Sequence, residues 1–434
     1  MAFKLGLLGL GTVGSSVVGI LEAPQGRHPL LREFEIQRVG VRSLDKARSV
    51  ELPPDVLTDD LEGIVTDPAI DAIVELMGGL EPARSLMLQA IEQGKHVVTA
   101  NKAAIARYGD EIFAAAHRAG VYVSLEAAAG GGIPVIQPLK HALSANRLQR
   151  AIGIVNGTTN YILTQMAAHN ADFDAVLAEA QQLGYAEADP SADVDGYDAA
   201  DKLAILASLA FGQSVPLDAI HREGIGQVSA ADISYADRLG FALKLLVIAQ
   251  RDASGELEAR VHPTLVPKDY PLASIDGVDN AILIEGEPIG QVMFFGPGAG
   301  SGPTASAVVS DLMNVAAILK TCAPPQALHP LLGTQPQPPA SVQPIEALVA
   351  RFYARLLCVD RPGVLGHIGH CFGQHAVSLE SIVQIDFRDG LAEIVVVTHQ
   401  VQERNVRAAL TAIQESAALE QLSIPSLLRV LSAS

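Results

Sequence analysis

Three glycines, spaced as Gly9-Leu10-Gly11-Thr12-Val13-Gly14, constrain this chain more than any other feature. They sit inside "FKLGLLGLGTVGSSVVGIL", where a short apolar run enters the glycines and a helical pattern leaves them. Gly9 permits a tight turn. Gly11 lets a pyrophosphate approach the backbone, and Gly14 lets the helix pack close to the strand. Free N–H groups at such a helix start attract phosphate. The next apolar run, "EIQRVGVRS", reads as a second strand, so a βαβ dinucleotide-binding unit is expected. An unliganded glycine-rich turn is the competing reading. The same stretch superficially mimics a signal peptide, with its lysine, apolar run and small residues, but the glycine spacing has the better explanation in the nucleotide loop.

The end of the second strand carries information about the cofactor. A site that prefers NAD usually places an acid there, for the ribose hydroxyls. Here the strand is expected to end at Val41-Arg42-Ser43, with Lys46 and Arg48 following. A cation at Arg42 suits a 2′-phosphate and favours NADP(H) over NAD(H). The alternative is a solvated loop cation. "DAIVELMGG" and "GKHVVTANK" read as further buried strands, each ending in a turn. Ligands of open α/β sheets sit at such strand ends, which points Lys102 at a cleft, although a lone lysine there is more often surface.

Composition narrows the partners. The chain has 434 residues, enough for two or three domains. Its apolar content of 49% beside 18% charged residues suits large buried cores. A net charge of -18 argues against nucleic acid or an anionic membrane surface as partner. Beyond the N-terminal run, no stretch reaches the roughly 18 uninterrupted apolar residues of a membrane span. The three cysteines, Cys322, Cys358 and Cys371, show neither zinc-site nor disulfide spacing. A reducing cytoplasmic setting is expected.

The middle of the chain is rich in small and acidic residues. "VSLEAAAGGGIPVI" reads as a strand, a triple-glycine turn and a helix start. Such a turn either connects tightly or offers carbonyl oxygens to a hard cation. "GIVNGTTNYILT" places Asn156 to Asn160 between a strand and a helix. Either these residues line a binding cleft with N–H groups and hydroxyls, or they form a self-satisfied turn that caps the helix. From Glu187 to Asp201 the chain is dense in carboxylates. Asp193-Val194-Asp195-Gly196 has only the beginning of a calcium loop. From Asp198 the pattern turns helical, and Asp198 and Lys202 share a face. Taken alone, they read as an exposed pair worth about 0.3 kcal/mol.

The C-terminal part begins after a proline-rich boundary, Ala323 to Glu346. The alternation beyond it predicts strand, helix, strand, strand, helix, strand, a ferredoxin-like order. His367, His370 and His375 read as ordinary residues rather than ligands, because no carboxylate cluster accompanies them.

Read together, "GLGTVG", "ELMGG", "TANK", "EAAAGGGIP", "GIVNGTTNYILT", "GYAEADPSADVDGYDAADK" and "FFGPGAGSGPTASAVVSDL" follow the order seen in homoserine dehydrogenases. The resemblance covers nearly the whole chain. It implies an α/β and α+β architecture: a Rossmann nucleotide-binding domain at 1–130, an α+β substrate and dimerisation domain at 131–322 whose late helix packs back on the first, a linker at 323–346 and a ferredoxin-like domain at 347–434. "DRPGVLGHIG" resembles the first turn of an ACT domain.

The implied activity is the reversible, NAD(P)-dependent interconversion of L-homoserine and L-aspartate 4-semialdehyde, on the route to threonine, methionine and isoleucine. By the same resemblance Lys202 is the general acid/base, Asp198 its partner at the substrate hydroxyl and Lys102 a nearby cleft lysine. Glu187 holds the substrate ammonium, with Gly157 and Thr158 beside it. Gly9, Gly11, Thr12, Val13, Gly14, Arg42, Lys102, Gly184, Gly300 and Gly302 are the cofactor positions. Glu126, Ala129, Gly131 and Ile133 match a sodium-type site built largely of carbonyls, although "EAAAGGG" is richer in alanine and glycine than the usual turn. Asp360, Gly363, Val364 and Leu365 match an amino-acid effector site, with threonine as the implied effector and a homodimer or homotetramer as the implied assembly. The ACT fold serving only to dimerise is the alternative. No cysteine precedes Cys322, so a thioester mechanism is not expected. Nor is a bifunctional aspartate kinase form expected, with the nucleotide loop starting at residue 9. The rival of another class is a non-catalytic nucleotide-binding amino-acid sensor, which would not need an acid/base group beside Glu187.

Overall fold

The structure is a computed structural model. It describes residues 2–252, 254–321, 328–388, 390–416 and 421–432. Cys322 and the start of the proline-rich boundary lie outside them. The chain forms two compact units: Met1–Ala151 with Ala200–Asp218 and Asp279–Ala340, and Ile152–Ala199 with Ala219–Val278 and Ser341–Ser434.

The first unit opens with β1 (Phe3–Leu8), α1 (Thr12–Glu22), β2 (Phe34–Gly40), β3 (Leu57–Thr58), α2 (Leu61–Thr66), β4 (Ala72–Glu75), α3 (Ala83–Glu92), β5 (His96–Thr99), α4 (Lys102–Ala119) and β6 (Val123–Ser124). Its strands lie in the order β3-β2-β1-β4-β5-β6 and all pair in parallel. This is the doubly wound dinucleotide-binding arrangement, with its crevice where the order reverses beside β1. Leu5, Leu7, Val74 and Val98 are buried because strands covered on both faces need continuous apolar runs. The second strand ends at Gly40, two residues before Arg42. The "EAAA" segment, expected to continue a strand, is instead the short helix α5 (Glu126–Ala129), followed by α6 (Ile136–Lys140). The Asp311 carboxylate accepts the Glu126 N–H at 2.8 Å and holds that helical turn.

β7 (Arg147–Ile154) leads into α7 (Gly157–His169), α8 (Phe173–Gln182), α9 (Ser191–Val194), α10 (Tyr197–Phe211), β8 (His221–Arg222), α11 (Ala230–Arg238), β9 (Phe241–Arg251) and β10 (Leu257–Pro267). A hairpin of β11 (Asp279–Glu287) and β12 (Gly290–Pro297) and the long helix α12 (Ser301–Thr321) return to the first unit. In length and composition α12 would pass for a membrane span. Here it is a core helix. Ala305, Val308 and Leu312 join Leu5, Val17 and Val18 in one buried cluster.

The C-terminal elements are β13 (Val349–Val359), α13 (Val364–Gln374), β14 (Leu379–Arg388), β15 (Leu391–Thr398), β16 (Val401–Gln402), α14 (Glu403–Gln414) and β17 (Ser423–Val430). The order β17-β13-β15-β14 is antiparallel and ferredoxin-like, with α13 and α14 covering one face through Phe372, Val406 and Ile413. β17 also pairs in parallel with β10, Thr264 opposite Arg429. The C-terminal fold therefore shares a sheet with β9 and β10 in the second unit.

Candidate active site

The nucleotide loop is built by backbone sterics. Gly9 has φ +107°, and a Cβ there would meet the Leu76 carbonyl oxygen at 2.9 Å. A Cβ on Gly14 would lie 2.4 Å from the Gly9 carbonyl oxygen. Gly11, at the N-cap of α1, has nothing within 4 Å of such an atom. Two of the glycines are thus demanded by the protein itself, while the third faces open space over a helix start, where a phosphate group can approach. Thr12 and Val13 form the first turn of that helix. Arg42 is exposed just past β2. Arg48 donates to the Leu44 and Lys46 carbonyls at 3.0 and 2.8 Å, and to that of Ser43.

Sequence reading missed how the neighbouring strand ends are tied together. Glu75, fully buried at the end of β4, accepts the Met77 N–H at 2.9 Å and the Thr99 hydroxyl at 2.7 Å. Thr99 in turn accepts the Asn101 N–H, and the Asn101 amide donates to the Gly79 carbonyl at 2.7 Å. Asn101 also caps α4 through Ala104. Lys102 is the first residue of that helix rather than the last of a strand. The available signal was an acid closing a buried apolar strand, in "ELMGG".

The triple-glycine turn owes its glycines to a close approach. A Cβ on Gly131 would lie 2.0 Å from the Gly298 carbonyl oxygen, and one on Gly132 would lie 2.5 Å from the Pro303 side chain. The turn therefore packs on the loop that carries Gly300 and leads into α12, where Gly302 lies in the first helical turn. The Glu126 carboxylate accepts three N–H groups, from Val135, Ile136 and Gln137, at 2.6 to 2.8 Å. Burial raises the Glu126 pKa, and these bonds oppose the rise. Burial also pushes the Asp311 carboxyl up to about 7 and brings the Lys140 amine down to about 8. With its carboxylate engaged, Glu126 can offer a cation its backbone carbonyl, like Ala129, Gly131 and Ile133. Among the described residues no cluster of three acidic, histidine or cysteine side chains could hold a metal ion.

"NGTTN" turns out to organise carboxylates. Asn156 caps α7, its oxygen accepting the Thr159 N–H at 2.9 Å. Its amide nitrogen donates to Asp193 at 2.6 Å and to Asp198 at 2.9 Å. Thr158 gives its hydroxyl to the Tyr185 carbonyl at 2.7 Å. Gly157 is packed against the Val278 carbonyl, where a Cβ would lie 2.7 Å away. Asn160 donates to the Ile275 carbonyl at 3.0 Å, alongside the buried amine of Lys244. Most side-chain donors of the motif are thus spent inside the second unit, and its product is an oriented Asp198.

Asp198 and Lys202 lie one turn apart on α10, and both are buried. Beside Lys202, Asp201 receives the Arg107 guanidinium at 3.0 and 3.1 Å. Arg107 also donates to the Ala103 carbonyl, so α10 is tied to the first turn of α4, next to Lys102. Glu187 is exposed in the loop after α8, and its carbonyl accepts from Gln181. Gly184 closes α8 with φ +76°, a left-handed position that suits glycine.

A nucleotide loop, a buried acid and lysine one turn apart and a ferredoxin-like module narrow the family, and comparison with known proteins decides it. A protein of Synechocystis sp. described as homoserine dehydrogenase is 63% identical over the full length of both chains. The chain belongs to the homoserine dehydrogenase family. It is therefore an oxidoreductase with a Rossmann-like nucleotide-binding domain and a C-terminal ACT domain. Homoserine dehydrogenase of Pseudomonas aeruginosa is 44% identical over 97% of each chain. Family models match accordingly: the homoserine dehydrogenase NAD-binding domain at residues 9–126, homoserine dehydrogenase at 134–313 and the ACT domain at 352–418. Among solved structures, a homoserine dehydrogenase from Thiobacillus denitrificans superposes with a TM-score of 0.93 at 43% identity, covering 99% of this chain and 98% of that one. A hyperthermophilic archaeal homoserine dehydrogenase, solved in complex with NADPH, superposes with a TM-score of 0.62 at 27% identity, covering 73% of this chain and 98% of that one.

In the ACT domain of this homoserine dehydrogenase family member, Gly363 has φ +95° at the start of α13. Asp360, Gly363, Val364 and Leu365 line one cavity with Gln384. His367 bonds to the Ser416 hydroxyl at 2.6 Å, an ordinary packing role. Cys358 and Cys371 are buried free thiols in the ACT core.

Proposed function

We infer that the chain catalyses the NADP(H)-preferring interconversion of L-homoserine and L-aspartate 4-semialdehyde, with Lys202 as general acid/base. The observation that carries this reading is the Asn156 amide, which bonds to Asp193 and holds Asp198 one helical turn from Lys202. Burying an acid and a lysine is costly unless both are paired and hydrogen-bonded, and an oriented acid one turn from a buried lysine is an arrangement that proton transfer can use. In the oxidative direction Lys202 takes the proton from the substrate hydroxyl while Asp198 keeps that hydroxyl turned toward it. A bound nicotinamide would supply the hydride chemistry at the carbon that bears this hydroxyl. In reduction Lys202 returns the proton to the oxygen as the alkoxide forms. Glu187 presents an exposed carboxylate to the substrate ammonium, and the N–H groups of Gly157 and Thr158 face the carboxylate end. Lys102, at the N-terminus of α4, is by the family resemblance the cleft lysine that adds a cation near the substrate.

Gly9, Gly11, Thr12, Val13 and Gly14 cradle the pyrophosphate. The exposed Arg42 supports the preference for NADP, because a guanidinium pairs with a 2′-phosphate. By the family resemblance Gly184, Gly300 and Gly302 are further cofactor positions. Ala129, Gly131, Ile133 and Glu126 fit a sodium-type cation through carbonyl oxygens and lack the anionic set that a divalent ion prefers. Asp360, Gly363, Val364 and Leu365 form the effector site, with threonine as effector and feedback on threonine, methionine and isoleucine synthesis as the consequence. A homodimer or homotetramer is supported by exposed apolar side chains on strands, Met293 and Phe295 on β12 and Val383 and Phe387 on β14. Buried free thiols suit a cytoplasmic protein.

A Lys202→Ala variant tests the assignment. It should bind NADPH normally by fluorescence and lose about 10²–10⁴-fold in turnover with L-homoserine. Substantial remaining turnover would overturn the role of Lys202, and a wild-type protein inert with both NADP and NAD would favour a nucleotide-binding sensor instead.

A further inference from the structure

We propose that Arg429, a residue of the C-terminal ACT fold, is a positioning residue for the carboxylates at Asp193 and Asp198. Arg429 lies on β17, its side chain 4% exposed. It donates to the two Glu223 oxygens at 2.8 and 2.9 Å and to Glu403, at the start of α14, at 2.8 and 2.5 Å. Its fork is thus filled by one acid of its own fold and one acid from the segment that follows β8. Burial alone would raise the Glu223 pKa, but the bonds from His221 and Arg429 hold it well below the usual carboxylate range.

The segment that Arg429 grips lies directly on the turn between α9 and α10. The Ile225 N–H donates to the Val194 carbonyl at 2.8 Å. A Cβ on Gly224 would lie 2.3 Å from that carbonyl oxygen and 2.7 Å from the Asp195 Cα, so the two backbones touch. Arg222, next to Glu223, donates to the Asp195 carbonyl and stacks on Tyr197, 3.4 Å from its ring centroid. That turn carries Asp193 at one end and Asp198 at the other, and both bond to Asn156. The ion pair between buried Arg429 and partly exposed Glu223 thus sets the height of the segment after β8 against which the acid-bearing turn is pressed. Sheet continuity between β17 and β10 keeps the anchor from moving independently.

The inference rests on the substrate role given above to Asp198. The test compares E223Q, R429M and the double variant with wild type, with L-homoserine and NADP. Each single variant should raise the KM for L-homoserine about tenfold, while the KM for NADP stays within about twofold, the signature of a displaced positioning contact rather than general loosening. The double variant should be no worse than R429M alone, because E223Q then alters a contact that R429M has already removed. Unchanged kinetics in E223Q, or equal rises in both KM values, would overturn the proposal. If R429M does not fold, E223Q decides alone, since Glu223 is one-third exposed and has other partners in His221 and Arg407. Wild-type protein inert with L-homoserine would overturn the activity and this inference together; active wild type with unaltered variants would overturn this inference only.

Discussion

The amide nitrogen of Asn156 lies 2.9 Å from the Asp198 carboxylate, and the oxygen of the same side chain caps α7. One side chain therefore both starts a helix and aims an acid that lies 42 residues further along the chain. Asn156→Ala should cost about 1 kcal/mol for the lost cap and lower kcat about ten- to hundredfold through the misplaced acid. Asn156→Asp should keep much of the cap but set a third carboxylate against Asp193 and Asp198, raising the apparent acidic pKa of the pH–rate profile. Steady-state kinetics across pH, with urea unfolding of each variant, separates the two effects. An Asn156→Ala protein with wild-type kcat would remove Asn156 from the mechanism.

The three glycines of the nucleotide loop should respond differently to alanine. Gly14→Ala forces a methyl to within 2.4 Å of the Gly9 carbonyl oxygen and should cost about 1–3 kcal/mol of stability. Gly11→Ala meets no protein atom within 4 Å. It should leave the melting temperature almost unchanged but raise the KM for NADP about tenfold or more, because the methyl occupies the approach of the pyrophosphate. Thermal denaturation and cofactor titration on the two variants check both halves of the contrast. A Gly11→Ala protein with normal KM would place the pyrophosphate elsewhere.

The buried pair Asp311 and Glu126 makes stability depend on pH. Burial raises the Asp311 pKa from 3.8 to about 7, and burial raises that of Glu126 as well. In that interval the native state keeps a proton that the unfolded chain has released. Stability is therefore fully present below the unfolded value and declines as pH rises through the folded one. The decline should be on the order of 2–4 kcal/mol between about pH 4 and pH 7. Asp311→Asn cannot lose a proton and should flatten this slope. Urea midpoints measured across the interval would show it, and an equal slope in both proteins would shift the cause to other groups.

Much of the fold was legible because its signals are local. The glycine loop, the order of elements in the ACT domain and the helical stripe after Asp198 all follow from neighbours within a few residues. Boundaries were less legible. Val41 and Arg42 were expected in the strand that ends at Gly40, and Glu126 was expected in a strand but starts a helix. In the second case the deciding partner was Asp311, 185 residues away. The reading of "NGTTN" favoured a binding cleft, with a self-satisfied cap as the alternative. The geometry combines a cap with a clamp on two acids, and no spacing rule within the motif names Asp193 or Asp198 as partners.

By itself the sequence determined the places where backbone sterics leave a single choice, above all Gly9 and Gly14, and the family to which the chain belongs. Such constraints are short-ranged, so a few residues suffice to state them. Tertiary structure alone decided that Glu75 would bind Thr99, that Arg107 would meet Asp201 and that Arg429 would reach Glu223, 206 residues away. A buried charge must find a partner, but which one it finds depends on how the chain closes on itself. That closure follows from the packing of all the elements together, and no local stretch of sequence contains it.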